Sequence, residues 1–185
     1  LPMDQDAFTR GYFKLLAAKL APHGYEPKQL VEAIWTGTEA MVRNDGSRTN
    51  EAAFWDKFAS IYGKKARADE PLFVDFYANE FNRAQSICGH DPRTAEIVRS
   101  LQKRGYQVVL ATNPIFPRIA TENRIRWAGL EPDDFALITT YENSTYCKPN
   151  PAYYREILGR LGLKAEECLM VGNDVVEDGV AQKLG

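Results

Sequence analysis

Along the first ninety residues, apolar side chains recur at helical spacing. Phe8, Tyr12, Leu15, Leu16 and Leu20 fall on one face of a helix that Pro22 and Gly24 would end. Leu30, Ala33, Ile34, Gly37 and Met41 repeat the pattern up to the turn Asn44-Asp45-Gly46-Ser47. Phe54, Phe58, Ile61 and Tyr62 form a third stripe closed by Gly63, and Phe73, Phe76, Tyr77, Phe81 and Ala84 a fourth that ends near Cys88-Gly89. The spacing predicts an all-helical unit over residues 1–88.

From Gly89 the period changes. Asp91-Pro92 reads as an N-cap and first helical residue, and Ile97, Val98 and Leu101 give the apolar face of a helix that stops at Gly105. Tyr106 to Thr112 (YQVVLAT) is a short β-branched run without polar alternation, the pattern of a strand covered on both faces of a parallel sheet. A helix from Pro117 to Ala128, a strand from Phe135 to Thr140, a helix from Pro151 to Leu161 and a third strand from Cys168 to Val171 follow. Strands alternating with helices mean βαβ units, so residues 89–185 are expected to form an α/β, Rossmann-like parallel-sheet core.

Composition narrows the function classes. In 185 residues, 44% are hydrophobic and 26% charged, ordinary globular values. A net charge of −2 carries no basic footprint, which argues against a nucleic-acid partner. No apolar run approaches the roughly 18 residues that span a bilayer, and the first twenty residues lack a signal-peptide layout, so no membrane partner and a soluble, cytoplasmic protein are expected. Cys88, Cys147 and Cys168 are odd in number and spaced unlike a zinc motif, with His23 and His90 far apart, which reads as reduced, structural thiols. Serine-hydrolase elbows, P-loops and dinucleotide-binding glycine turns are absent.

In a parallel sheet the ligand lies beyond the carboxyl ends of the strands. After the first strand stands Thr112-Asn113-Pro114, after the second Lys148-Pro149-Asn150, and after the third Gly172-Asn173-Asp174, with Asp178 four residues on. Each has an ordinary explanation. Asp174 and Asp178 suit a helix cap and an acidic first turn, Lys148 a solvated surface, and Thr112 a strand end. Together they place a hydroxyl, an ammonium and a carboxylate pair at successive βα edges, where a bound phosphate would use them. The two carboxylates are hard oxygen ligands suited to Mg2+.

The segments VVLATN, CKPNP and LMVGNDVVED resemble the second, third and fourth motifs of the haloacid dehalogenase superfamily of phosphohydrolases. The resemblance covers Tyr106 to Gly185. It implies that Thr112 hydrogen-bonds a phosphoryl oxygen, that Lys148 neutralises the phosphoryl group and the nucleophile, that Asp174 binds Mg2+ and that Asp178 assists the metal. Asn113 would offer its side chain or backbone N–H to the phosphate. Residues from about 5 to 88 stand where members of this superfamily carry a helical cap that selects the substrate. Trp35, Arg43, Trp55 and Tyr77 are the candidates for that selection, with the bundle core the competing place for the aromatic ones.

The superfamily's first motif is an apolar strand ending in Asp-x-Asp, one carboxylate attacking phosphorus and the other acting as acid and base. Asp4-Gln5-Asp6 has the letters, but only Leu1, Pro2 and Met3 precede it, so it reads as part of the first helix. The nucleophile strand is expected to be missing from these residues, its place lying between the strands that end at Thr112 and Val171. The implied function is a magnesium-dependent phosphatase acting on a small phosphorylated metabolite through an aspartyl-phosphate in a longer chain, the 185 residues alone being inactive. Two alternatives stay open. One is carbon–halogen hydrolysis, which needs no metal and fits the acidic pair poorly; the other is a non-catalytic binding or regulatory protein of the same fold.

Overall fold

A computed structural model describes residues 1–185. Its first half is helical, as the periodicity predicts, and each start has a local cause. Helix α1 spans Gln5–Leu20, with the Asp4 carboxylate accepting the Ala7 N–H at 2.7 Å. Asp4 and Asp6 therefore belong to a helix start. Helix α2 (Pro27–Val42) opens on Pro27, which has no N–H to lose, and α3 (Asn50–Tyr62) opens under the Thr49 hydroxyl. The stripe expected to run from Phe73 to Ala84 is divided. Helix α5 (Glu70–Ala78) gives way to a 3₁₀ turn over Glu80–Ile87, and a short α4 (Lys64–Ala68) precedes it.

These helices meet through aromatic rings. Phe58 is fully buried and lies 5.6 Å from Phe54 and 5.5 Å from Phe73 between ring centroids. Gly37 lets α2 and α3 approach, since a Cβ there would stand 2.6 Å from the Phe54 ring.

In the second half α6 (Arg93–Lys103) leads to β1 (Val109–Leu110), α7 (Arg118–Trp127), β2 (Leu137–Ile138) and α8 (Pro151–Leu161). Strands β1 and β2 are parallel, Val109 opposite Leu137 and Leu110 opposite Ile138. Both lie inside the expected strands and are shorter. Trp127 and Ala120 of α7 pack into the same apolar cluster as α1 to α5, with Trp127 5.1 Å from Phe81, so the two halves share one core.

The third expected strand is corrected. Cys168 to Val171 pairs with nothing, and the sheet consists of β1 and β2. Leu169 is 89% exposed and Val171 82%. A strand is held by ladder hydrogen bonds and by cover on its faces, and this apolar run has neither partner among the described residues. No helix is long and apolar enough to cross a membrane.

Candidate active site

The loops after β1 and β2 are tied together from below. The Thr112 carbonyl accepts hydrogen bonds from the Thr139 hydroxyl at 2.8 Å and the Tyr153 hydroxyl at 2.7 Å, and both donors are buried. The Thr112 backbone is thereby fixed while its own hydroxyl makes no hydrogen bond within the chain. Tyr153 projects from α8, which Pro151 and the Asn150 cap start immediately after the Lys148-Pro149 turn.

Asn113 joins three segments. Its Oδ1 accepts the Lys148 backbone N–H at 3.2 Å, and its Nδ2 donates to Glu177 Oε1 at 3.0 Å. Lys148 is 6% exposed, unlike the solvated lysine its sequence context also allows. Its Nζ donates to Asp178 Oδ1 at 2.6 Å and sits 5.8 and 5.9 Å from the centres of the Tyr153 and Tyr154 rings. A buried ammonium requires a partner, and Asp178 supplies it. An ammonium has three protons, so the ion pair leaves donors for a further oxyanion.

Burial raises the Asp178 carboxyl, but the Lys148 ammonium and the backbone N–H groups of Asp174 and Asn173 outweigh it, and the net shift is downward. Asp178 Oδ2 accepts both of those N–H groups at 3.1 Å. The turn closes this tightly because residue 172 is glycine; a Cβ there would stand 2.1 Å from Asp178 Oδ2. Asp174 is exposed, and its Oδ1 accepts the N–H groups of Val176 and Glu177, both at 2.8 Å, as a cap would.

A magnesium ion fits this set only in part. Asp174 keeps one carboxylate oxygen unengaged, while Asp178 is spent on Lys148 and the backbone. No three His, Cys, Asp or Glu side chains converge on one point. Mg2+ is commonly held by one or two carboxylates together with substrate phosphate and water, and one such ligand is available here.

Of the residues proposed for substrate selection, Trp35, Trp55 and Tyr77 line one cavity and Arg43 does not. Arg43 pairs with Glu39 on the surface, Trp55 is 2% exposed in the aromatic core, and Tyr77 hydrogen-bonds Tyr12 at 2.8 Å. Trp35 is about half exposed beside Phe13.

Sequence reasoning missed Asn50, Tyr153 and Glu177. Asn50 is wholly buried at the start of α3; its Nδ2 reaches the Pro114 carbonyl at 3.2 Å and Cys147 Sγ at 3.3 Å, joining the helical half to both site loops. An asparagine one residue past a capping threonine carries no signal for such a role. Cys147 itself stays a thiol, burial pushing it up to about 12.

The assembled groups are a charged donor, a free hydroxyl and an amide at the carboxyl ends of parallel strands. Donors of this kind suit an oxyanion and would stabilise negative charge on it.

A sequence model of the family described as haloacid dehalogenase-like hydrolase matches residues 7–184. Among curated proteins the chain is 33% identical to "Pyrophosphatase PpaX" of Bacillus cereus (strain AH820) over 119 residues, 64% of this chain and 52% of that protein. It is 29% identical to "Phosphoglycolate phosphatase" of Pectobacterium atrosepticum over 156 residues, 83% of this chain and 60% of that protein. It is 25% identical to "Pyrophosphatase PpaX" of Halalkalibacterium halodurans over 154 residues, 83% of this chain and 61% of that protein. The chain thus spans less than two thirds of the length of each of these relatives.

Proposed function

Because the chain belongs to the haloacid dehalogenase-like hydrolase family, we propose that the protein is a phosphatase of small phosphorylated metabolites, with residues 1–88 forming a cap over a site built by residues 89–185. The observation that carries this reading is the buried Lys148, held by Asn113 and Asp178 where the loops after β1 and β2 meet. Relatives named for pyrophosphate and phosphoglycolate hydrolysis support phosphate esters or anhydrides as the substrate class.

In this reading Lys148 donates to a phosphoryl oxygen while its contact with Asp178 holds the ammonium in place. The Thr112 hydroxyl and an Asn113 N–H donate to the remaining oxygens. Tyr153 and Thr139 hold the Thr112 carbonyl, so no reorganisation is needed when charge develops. A Mg2+ ion, with Asp174 among its ligands, would offset further phosphate charge. The nucleophile belongs to an aspartate on a further strand beside β1, and exposed Leu169 and Val171 are apolar surface that such a strand would cover. Its carboxylate attacks phosphorus as the alkoxide leaves and takes a proton from the second acid, and water then cleaves the acyl phosphate.

The test is hydrolysis of 4-nitrophenyl phosphate by the whole protein. Turnover should require Mg2+, vanish with EDTA and fall about 10²-fold or more in Asp174→Asn. Undiminished turnover without divalent metal would contradict the reading.

A further inference from the structure

A cavity of about 260 Å³ lies between α1, α2, α5 and the loops that follow β1 and β2. Trp35 and Val74 line it and are each 53% exposed, so it opens to solvent there; Phe116 and Tyr141 line it too, and the Tyr141 N–H donates to the Phe116 carbonyl at 3.1 Å. Phe116 lies four residues beyond Thr112, and Ile115, Phe116 and Pro117 line the cavity, so the loop that carries Thr112 and Asn113 also forms part of its wall.

Its walls are aromatic and aliphatic with one charged side chain, Arg124. Helix α7 carries three arginines, and two of them are satisfied. Arg118 meets Glu122 at 2.6 Å, and Arg126 meets Glu122 and Glu131 at 3.6 and 3.4 Å. The third, Arg124, makes no ion pair or side-chain hydrogen bond; its guanidinium carbon sits 5.3 Å from the Phe8 ring centre and 5.8 Å from that of Phe116. Aromatic faces stabilise a cation but leave its N–H donors without acceptors.

Other polar groups in the wall are also donors in excess. In the Tyr12–Tyr77 hydroxyl pair, 2.8 Å apart, one proton is used between the two and the other remains to donate. No carboxylate lines the cavity. A pocket rich in donors and aromatic rings, with one unpaired guanidinium, complements an apolar body that ends in an oxyanion.

We propose that this cavity takes the leaving group of the substrate, a ring-sized apolar body bearing a carboxylate, and that Arg124 is the specificity-determining residue that pairs with that carboxylate. The inference rests on the phosphatase reading for the word substrate, but the binding site stands on the cavity alone. The volume fits. A cavity of about 150 Å³ holds benzene, so this one holds a ring with its carboxylate.

Benzoate, which has no phosphate, separates the two claims. Trp35 and Trp55 line the cavity, so titration of the chain with benzoate should change tryptophan fluorescence saturably, with benzyl alcohol binding roughly tenfold or more weakly. Arg124→Gln should erase that preference and Arg124→Lys should retain part of it. Trp35→Ala, at the exposed mouth, should weaken both ligands alike. Equal affinity for the two ligands, no saturable benzoate binding, or a preference that survives in folded Arg124→Gln would each overturn the proposal. Benzoate binding by a protein without phosphatase activity would leave this site standing and remove only the phosphatase reading; activity without benzoate binding would do the reverse.

Discussion

Residues 54–58 and 168–176 are both strongly apolar, and the fold treats them in opposite ways. Phe54, Trp55 and Phe58 are buried in a cluster of rings, whereas Leu169, Val171, Val175 and Val176 stand 69–89% exposed. The difference lies in where cover comes from. A helix satisfies its own backbone and needs only a neighbouring stripe, which α2 and α5 supply within a few dozen residues. A strand depends for both its hydrogen bonds and its cover on segments remote in sequence. Apolar pattern therefore states what must be covered, and the helical half alone carries its cover locally.

The comparison breaks most sharply on stability. Phe58→Ala should cost about 3–5 kcal/mol in urea denaturation, and Val171→Ser, in the same 185 residues, within about 0.5 kcal/mol. Similar costs for the two would mean that the exposed run is packed in solution, and the contrast would fall.

Between these extremes lies the site. Asp178→Asn would leave the Lys148 ammonium buried and unpaired and should cost about 3 kcal/mol at neutral pH. The sign with pH follows from the depressed Asp178 carboxyl. Its contribution is full above the unfolded value of about 3.9 and is lost as pH falls through the lower folded value. Stability of the native chain should thus be flat for this pair down to about pH 4 and decline below it, and the variant should lack that part of the decline in thermal melts.

Asn50→Ala removes the amide that joins the helical half to the Pro114 and Cys147 loops and should cost about 1–3 kcal/mol. It sharpens the comparison, since amide hydrogen exchange should accelerate in the loop after β1 more than in α5. Uniform acceleration would place Asn50 in the general core.

Much of this was legible in sequence. The stripes of α1 to α3 and the α/β alternation around Val109 and Leu137 follow from local chemistry. Thr112, Asn113 and Lys148 could be named because the ends of parallel strands collect in space, whereas Asp178 was named from a third strand that does not form. What was not legible is long-range. The buried Asn50 depends on loops 64 and 97 residues away, Tyr153 reads as a core aromatic of α8 until its hydroxyl meets the Thr112 carbonyl, and the exposure of Val171 depends on segments that its own sequence cannot supply. Asp174 Oδ1 caps the turn, as the ordinary explanation of this residue has it, which leaves Oδ2 for the proposed metal.

The central claim is that Lys148 serves a phosphoryl group. It is tested most directly by kcat/KM of the whole protein on 4-nitrophenyl phosphate with Mg2+, comparing Lys148→Met with the unaltered protein after circular dichroism has shown both folded. The account predicts a loss of about 10²–10³-fold. Turnover within about twofold of the unaltered protein would contradict it, and would reduce the Lys148–Asp178 pair to a structural ion pair.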